Sequence, residues 1–219
     1  NVALGYLALS ADTLGDRAVG IGMNALATQN FTSTTDNYNV GVGYQAGGAV
    51  TTGVENVLIG GLAGDALTDA DYNVAIGTAA LSADTLGSRS IAIGQGTLGA
   101  QNFTSATDTY NIALGYGAGS LVTTGKQNTL IGGLSGDAIT TGEANTALGY
   151  EALGATTTAN GNVGAGYRSL VANTTGAANT GIGTNALVAN TTASNNVAVG
   201  YAALTANTTG DQNTSVGAV

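Results

Sequence analysis

A five-residue phrase that ends in glycine recurs thirteen times along the chain, and Asn196-Val197-Ala198-Val199-Gly200 is one copy. Of the twelve intervals between these anchor glycines, ten are 17 residues long and two are 21. A strict short period means that one structural unit stacks on copies of itself. We therefore expect an elongated solenoid rather than a globule with a central cleft. The anchors are Gly5, Gly22, Gly43, Gly60, Gly77, Gly94, Gly115, Gly132, Gly149, Gly166, Gly183, Gly200 and Gly217.

The three residues before each anchor have the alternation of a β-strand. The first is Val, Ile or Thr, and the last is Leu, Ile or Val in every copy except at Ala165. A small residue stands between them, with Leu58 and Leu130 as the only bulky exceptions. Such alternation predicts one strand in each coil, with one bulky and one flat face. The predicted fold class is all-β, a parallel β-solenoid of 17-residue coils.

The other half of each coil is polar and has the residues of a turn. The eighth residue after the anchor is threonine in all ten 17-residue coils, and in seven of these a glycine follows two residues later, as in Thr174-Thr175-Gly176. We expect those glycines to supply positive φ. A thin coil that is apolar on one side is not expected to enclose a substantial core. The apolar edge is therefore predicted to pack against identical chains, and the flat Ala/Gly face would permit the close approach.

A longer period is superimposed on the short one. Residues 1–72 repeat closely as 73–144, and simple 17-residue coils occupy 145–219. We interpret 1–219 as one repeat domain and expect it to be a piece of a longer fibre. The two 21-residue coils carry matching insertions, Gln29-Asn30-Phe31-Thr32-Ser33 and Gln101-Asn102-Phe103-Thr104-Ser105.

Composition argues against several classes of function. There is no cysteine and no histidine, which removes thiolate sites, the commonest general base and the commonest transition-metal ligand. The formal net charge of −9 has the wrong sign for nucleic acid or anionic lipid. No apolar run reaches the ~20 residues of a membrane span. We predict no catalytic residue, no metal, no cofactor, no nucleic-acid binding and no membrane insertion, and hence not an enzyme.

The run Asn196–Leu204, followed by Asn207-Thr208-Thr209-Gly210, resembles the head repeats of trimeric autotransporter adhesins (YadA-like heads). It is even more similar to repeat arrays of phage tail fibres. The resemblance covers the whole chain, although its coils are longer than those common in adhesin heads. It implies a left-handed parallel β-roll, assembled side by side as a homotrimer, that serves adhesion or host recognition outside the cell.

One asparagine stands four residues before the anchor in eleven of the thirteen copies. This column is either a ligand-binding stripe or a structural ladder of amides bonded from coil to coil, and the ladder is favoured. The threonine column likewise suggests either an ice-binding face or turn capping, and capping is favoured because adjacent threonines point to opposite sides. The predicted ladder comprises Asn39, Asn56, Asn73, Asn111, Asn128, Asn145, Asn162, Asn179 and Asn196.

The insertions are the candidate recognition sites, because aromatic residues in polar loops on a regular scaffold often bind ligands. Two interpretations stay open: the phenylalanines contact a ligand, or they fold back to cover the coil below. The scattered carboxylates, among them Asp65 and Asp137 in one repeat slot, lack a calcium-loop pattern and are interpreted as surface charge. The predicted ligand-binding residues are Asn30, Phe31, Thr32, Asn102, Phe103 and Thr104.

Together these features predict a structural, receptor-binding segment of an extracellular fibre, most directly a phage tail fibre that attaches to its host. A bacterial trimeric surface adhesin, a self-assembling filament and an ice-binding solenoid are the alternatives. The expected partners are copies of the chain itself, side by side or end to end, and a glycan or protein receptor on the host cell surface.

Overall fold

The computed structural model describes residues 1–218. The chain divides into two compact units, an N-terminal unit Asn1–Tyr110 and a C-terminal unit Asn111–Val219. The described residues contain strands and turns but no helix, and therefore no helix that could cross a lipid bilayer. In each unit parallel strands stack coil on coil, so the predicted parallel β-solenoid of about thirteen turns is confirmed. Its handedness and the number of associated chains stay predictions.

Each coil contributes one three-residue strand, and four two-residue strands accompany the insertions. In the N-terminal unit the strands are β1 Val2–Leu4, β2 Gly15–Asp16, β3 Val19–Ile21, β4 Thr35–Asp36, β5 Val40–Val42, β6 Val57–Ile59, β7 Val74–Ile76, β8 Gly87–Ser88, β9 Ile91–Ile93 and β10 Thr107–Asp108. In the C-terminal unit they are β11 Ile112–Leu114, β12 Thr129–Ile131, β13 Thr146–Leu148, β14 Val163–Ala165, β15 Thr180–Ile182, β16 Val197–Val199 and β17 Thr214–Val216.

The strands pair in parallel and in the register of the sequence repeat. Val40 of β5 pairs with Val57 of β6, 17 residues later, whereas Val19 of β3 pairs with Val40 across a 21-residue coil. The extra residues leave the main sheet and form separate two-stranded pairs, β2 with β4 and β8 with β10. The insertions are therefore accommodated without a shift in the main ladder.

The structure shows which strand face points into the coil, a question that the alternation in the sequence leaves open. The small middle residues point into the coil, and Ala92, Ala147 and Ala198 are fully buried. The bulky flanking residues face outward, and Leu148 beside Ala147 is 39% exposed. The predicted role of the Ala/Gly face in contacts between chains is therefore wrong. Small side chains allow close packing across the narrow interior of the coil itself.

The coils enclose a core of their own, which the sequence interpretation did not expect. In most coils a leucine four residues after the anchor fills the interior, as buried Leu153 and Leu187 do. Where glycine takes that place, as at Gly136, the space belongs to Leu130 and Ile139, whose methyl groups would lie 2.7 and 2.9 Å from an added Cβ. A large side chain at one position thus compensates for glycine at another, so the interior stays filled as close packing requires.

Glycines are required by close approach of successive coils. A Cβ on the anchor Gly149, whose φ is +135°, would lie 2.6 Å from the carbonyl oxygen of Gly166. The prediction that the turn glycines have positive φ is wrong for Gly176 in the polar turn, whose φ is not positive. A Cβ there would come within 2.1 Å of the Ala193 carbonyl oxygen. The turn glycine is thus selected by contact with the next coil.

Candidate functional site

The two insertions are the main departures from a uniform solenoid, and both lie in the N-terminal unit. Each leaves its coil after a buried glutamine and returns through a short strand, β4 or β10. The tips, residues 32–34 and 104–106, are exposed. These tips are the loop segments that a partner molecule could reach.

The phenylalanine rings do not project from the loops. Phe31 is 6% exposed and Phe103 is 7% exposed, so each ring folds back over the coil. This burial agrees with the second of the two interpretations of the sequence. Burying a phenylalanine side chain contributes about 2 kcal/mol of transfer free energy, which makes each ring part of the packing.

The polar residues of the predicted binding loops are exposed, and some bond to the neighbouring coil. Asn30 Oδ1 accepts a hydrogen bond of 3.0 Å from Thr13, and Asn102 Oδ1 accepts one of 3.2 Å from Thr85. Thr32 and Thr104 are exposed at the tips. Ligand binding by these loops stays a prediction, and its accessible groups are amides and hydroxyls.

A buried polar network anchors each insertion, and sequence reasoning missed it. Gln101 Nε2 donates to Asp84 Oδ2 at 2.6 Å and to Ser90 Oγ at 2.8 Å. Asp84 also accepts a 3.0 Å bond from the backbone N–H of Phe103, which fixes the start of the loop. In the first insertion Gln29 Nε2 donates to Asp12 at 2.8 Å. Charge-assisted bonds of this kind are the stronger class of hydrogen bond.

The network compensates for the two gaps in the asparagine column. The column is interrupted only at Ala18 and Ser90, and each interruption immediately precedes a 21-residue coil. There the insertion glutamine occupies the interior, and Gln29 Oε1 accepts a bond of 2.9 Å from Asn39 Nδ2. The coincidence of a missing asparagine with an insertion was the sequence feature that could have revealed this exchange.

Elsewhere the asparagine column forms a continuous ladder within each unit. Asn145 Oδ1 accepts bonds from both the backbone N–H and the side chain of Asn162, at 3.0 and 3.3 Å. The Asn162 amide also donates to the Gly176 carbonyl at 2.9 Å, across the interior of the coil. The predicted ladder residues are fully buried: Asn39, Asn56, Asn73, Asn111, Asn128, Asn145, Asn162, Asn179 and Asn196.

The threonine column makes a second ladder on the polar side. Thr140 Oγ1 donates to the Thr157 carbonyl at 3.2 Å, and Thr174 Oγ1 donates to the Thr191 carbonyl at 3.0 Å. The hydroxyl protons of these threonines are thus engaged with the backbone of the next coil. This geometry matches the turn-capping interpretation of the column.

Each insertion strand also carries an exposed ion pair. Arg17 lies 2.9 Å from Asp36 of β4, and Arg89 lies 3.0 Å from Asp108 of β10. The Arg89 guanidinium carbon lies 4.6 Å from the centre of the Tyr72 ring. The hydrogen bond to Asp108 raises the pKa of Arg89. Solvent screens exposed pairs of this kind, so they contribute little to stability.

Two carboxylates in one repeat slot have perturbed ionisation. Burial raises the pKa of Asp65 in the N-terminal unit and that of Asp137 in the C-terminal unit. Within residues 1–218 the structure brings no three acidic side chains close enough to hold a metal ion.

Comparisons of the chain with protein-family models, with curated proteins and with solved structures find no match.

Proposed function

We propose that this chain is a structural and receptor-binding segment of a multichain extracellular fibre, a phage tail fibre that attaches to its host. The observation that carries the proposal is the outward apolar face of the strands. A solenoid that encloses its own core has no internal need for large apolar residues on its outside. Their regular recurrence there favours a role in association.

The apolar strand face is defined here by the residue before each anchor and the tyrosine that often follows the anchor. In the C-terminal unit Leu114, Leu148 and Ile182 are 41%, 39% and 43% exposed. Tyr150 and Tyr167 stack in successive coils with ring centres 5.9 Å apart. Extended apolar patches of this kind are uncommon on monomers and mark interaction surfaces.

The periodicity of the face favours a second copy of the chain as its occupant. The apolar residues recur once per coil, at the ~4.8 Å spacing of strands in a sheet. A partner that matches this spacing coil for coil must have the same period, and an identical chain has it. The resemblance to adhesin heads and tail fibres adds the proposal of three left-handed chains side by side.

In such a fibre the insertions remain available for a receptor. Asn30, Thr32, Asn102 and Thr104 belong to loops outside the apolar strand face, and their exposed amides and hydroxyls suit polar groups of a glycan or protein. Multiple copies in one fibre would strengthen weak contacts through avidity. The proposed role of the chain is therefore attachment to a cell surface and not catalysis.

Immunogold electron microscopy of the full-length protein in its native culture tests the proposal. Antibodies raised against the folded 219-residue segment are applied to virions and to intact cells. The tail-fibre proposal predicts gold particles on the fibres of the virion. Label on the bacterial envelope would indicate the surface adhesin, and label on free filaments would indicate the self-assembling filament. Label confined to the cell interior would contradict an extracellular fibre of any kind.

A further inference from the structure

The N-terminal unit has an open cavity on its surface that is lined neither by the insertion tips nor by the apolar strand face. Its volume is about 370 Å³, and three successive coils contribute to its lining. Gly48 and Ala49 are small enough to leave this space open, and polar side chains surround it. The polar side chains are those of Asn24, Thr28, Gln45 and Asp65.

The cavity coincides with a difference between the two super-repeats. The residues that follow Gly48, Ala49 and Gln45 by 72 positions are Ser120, Leu121 and Gly117, so larger side chains stand at the two positions that leave the space. Asp65, by contrast, is matched by Asp137. The duplication therefore supplies a second copy of the carboxylate in a different setting.

Asp65 is a carboxylate without a partner of opposite charge in the part of the chain described by the structure. The four ion pairs found there involve other acids. Its Oδ1 is shielded from water and has no hydrogen-bond partner outside its own residue, and burial raises the pKa of the group. A partly desolvated anion of this kind is stabilised by a cation that comes close to it.

We propose that this cavity binds a primary ammonium group on an aliphatic stem. An ammonium has three N–H donors and no acceptor, which suits the side-chain oxygens of Asp65, Asn24 and Gln45. The stem would lie against Ala49 and the backbone of Gly48.

Other ligand classes fit the cavity less well. A guanidinium recognises both oxygens of a carboxylate, but Asp65 Oδ1 is shielded, so a compact point charge is the better match. The single hydroxyl proton of Thr28 is shared between the carbonyls of Gly48 and Val50, whose oxygens both lie 2.9 Å from Oγ1, so this hydroxyl can only accept from a ligand. No aromatic ring lines the cavity for a sugar to stack against. This inference is independent of the fibre proposal.

The test is a titration of the ¹⁵N-labelled chain with n-butylammonium chloride, monitored by the backbone amide shifts of Asn24 and Gln45, which line the cavity and are unchanged in every variant. We expect saturable shifts with a millimolar midpoint, as suits one partly shielded ion pair. n-Butanol, which has the same stem and no charge, should give none. Nα-acetyl-lysinamide is titrated in parallel: equal affinity means that the ammonium group alone is recognised, and tighter binding points to lysine side chains of proteins.

Two variants and a control make the test specific. Asp65→Asn should weaken binding at least about fivefold, in line with a single ion pair. The double variant Gly48→Ser/Ala49→Leu introduces the residues of the second super-repeat and should abolish the shifts although Asp65 is still present. Asp137→Asn, the same change in the matched slot, should leave the affinity unchanged. Shifts that do not saturate, persist in Asp65→Asn or appear equally with n-butanol would overturn the proposal.

Discussion

Gln101 Nε2 lies 2.8 Å from Ser90 Oγ and donates to it, in the coil where serine replaces the ladder asparagine. The glutamine comes from the insertion, eleven residues further along the chain. The same amide also bonds to the buried carboxylate of Asp84. The insertion therefore supplies the interior polar group that its own coil lacks.

Replacing this buried glutamine should destabilise the fold more than replacing an exposed glutamine of the same coil. Gln101→Ala leaves the Asp84 carboxylate without its bond from this amide, and we expect a loss of about 2 kcal/mol in the free energy of unfolding. The exposed Gln95→Ala in the same coil is the matched control and should change stability by less than ~0.5 kcal/mol. Denaturant unfolding followed by circular dichroism measures both. Equal stability of the two variants would show that the network contributes nothing.

The insertion phenylalanines are expected to matter for stability. Phe103→Ala removes a buried ring and should cost about 3 kcal/mol, whereas Thr104→Ala at the exposed tip should be nearly neutral. Thermal unfolding of the two variants provides the comparison. If Phe103→Ala unfolded at the parent temperature, the ring would have no packing role.

The exchange of interior volume between positions can be tested by a double-mutant cycle. Gly136→Leu alone should clash with Leu130, and Leu130→Ala alone should leave a cavity costing about 3 kcal/mol. Together they reproduce the Ala147 and Leu153 pair of the next coil, where Leu153 has the same φ of 55° as Gly136, while Ile139 stays at the position that Thr156 has there. The double variant should be more stable than the sum of the single effects predicts, by at least about 1 kcal/mol. Strict additivity of the unfolding free energies would argue against the exchange.

Asp137 should make stability depend on pH. Burial raises its pKa in the folded state above the ordinary value of an aspartate, so the charged form is penalised at neutral pH and the penalty is relieved as pH falls through the raised pKa. Asp137→Asn should therefore raise the melting temperature at pH 7, and its advantage should disappear near pH 3. Glu55→Gln, at an exposed carboxylate, is the control for removing one charge. An advantage for Asp137→Asn that is independent of pH would contradict this origin.

The repeat made the strands predictable, since Asn, a strand triplet and glycine at a fixed spacing determine the position and register of each rung. The direction of the faces was not predictable in the same way. Alternation separates Ala147 from Leu148 but does not say which of them points inward, and the expectation that the flat face would lie between chains was wrong. The narrow coil holds alanine and one leucine instead.

The insertions were harder to predict because their path has no period. Two copies of a loop show that it is repeated but not where its side chains point, so Phe31 and Phe103 fitted display and burial equally well. The cavity beside Asp65 depends on the absence of side chains at Gly48 and Ala49. Because three successive coils line it, the cavity cannot be predicted from the sequence of any one coil.

Sedimentation equilibrium of the folded segment tests the central claim most directly, namely that the apolar strand face joins copies of the chain. The account predicts three times the 21.1 kDa mass of one chain. Leu148→Lys on the outward face should dissociate the assembly while strand content by circular dichroism is retained, because a buried unpaired charge is costly at the contact. Ala147→Lys, one residue away but inside the coil, should unfold the chain. A parent protein that sediments at 21.1 kDa at all accessible concentrations, with full strand content, would contradict the claim.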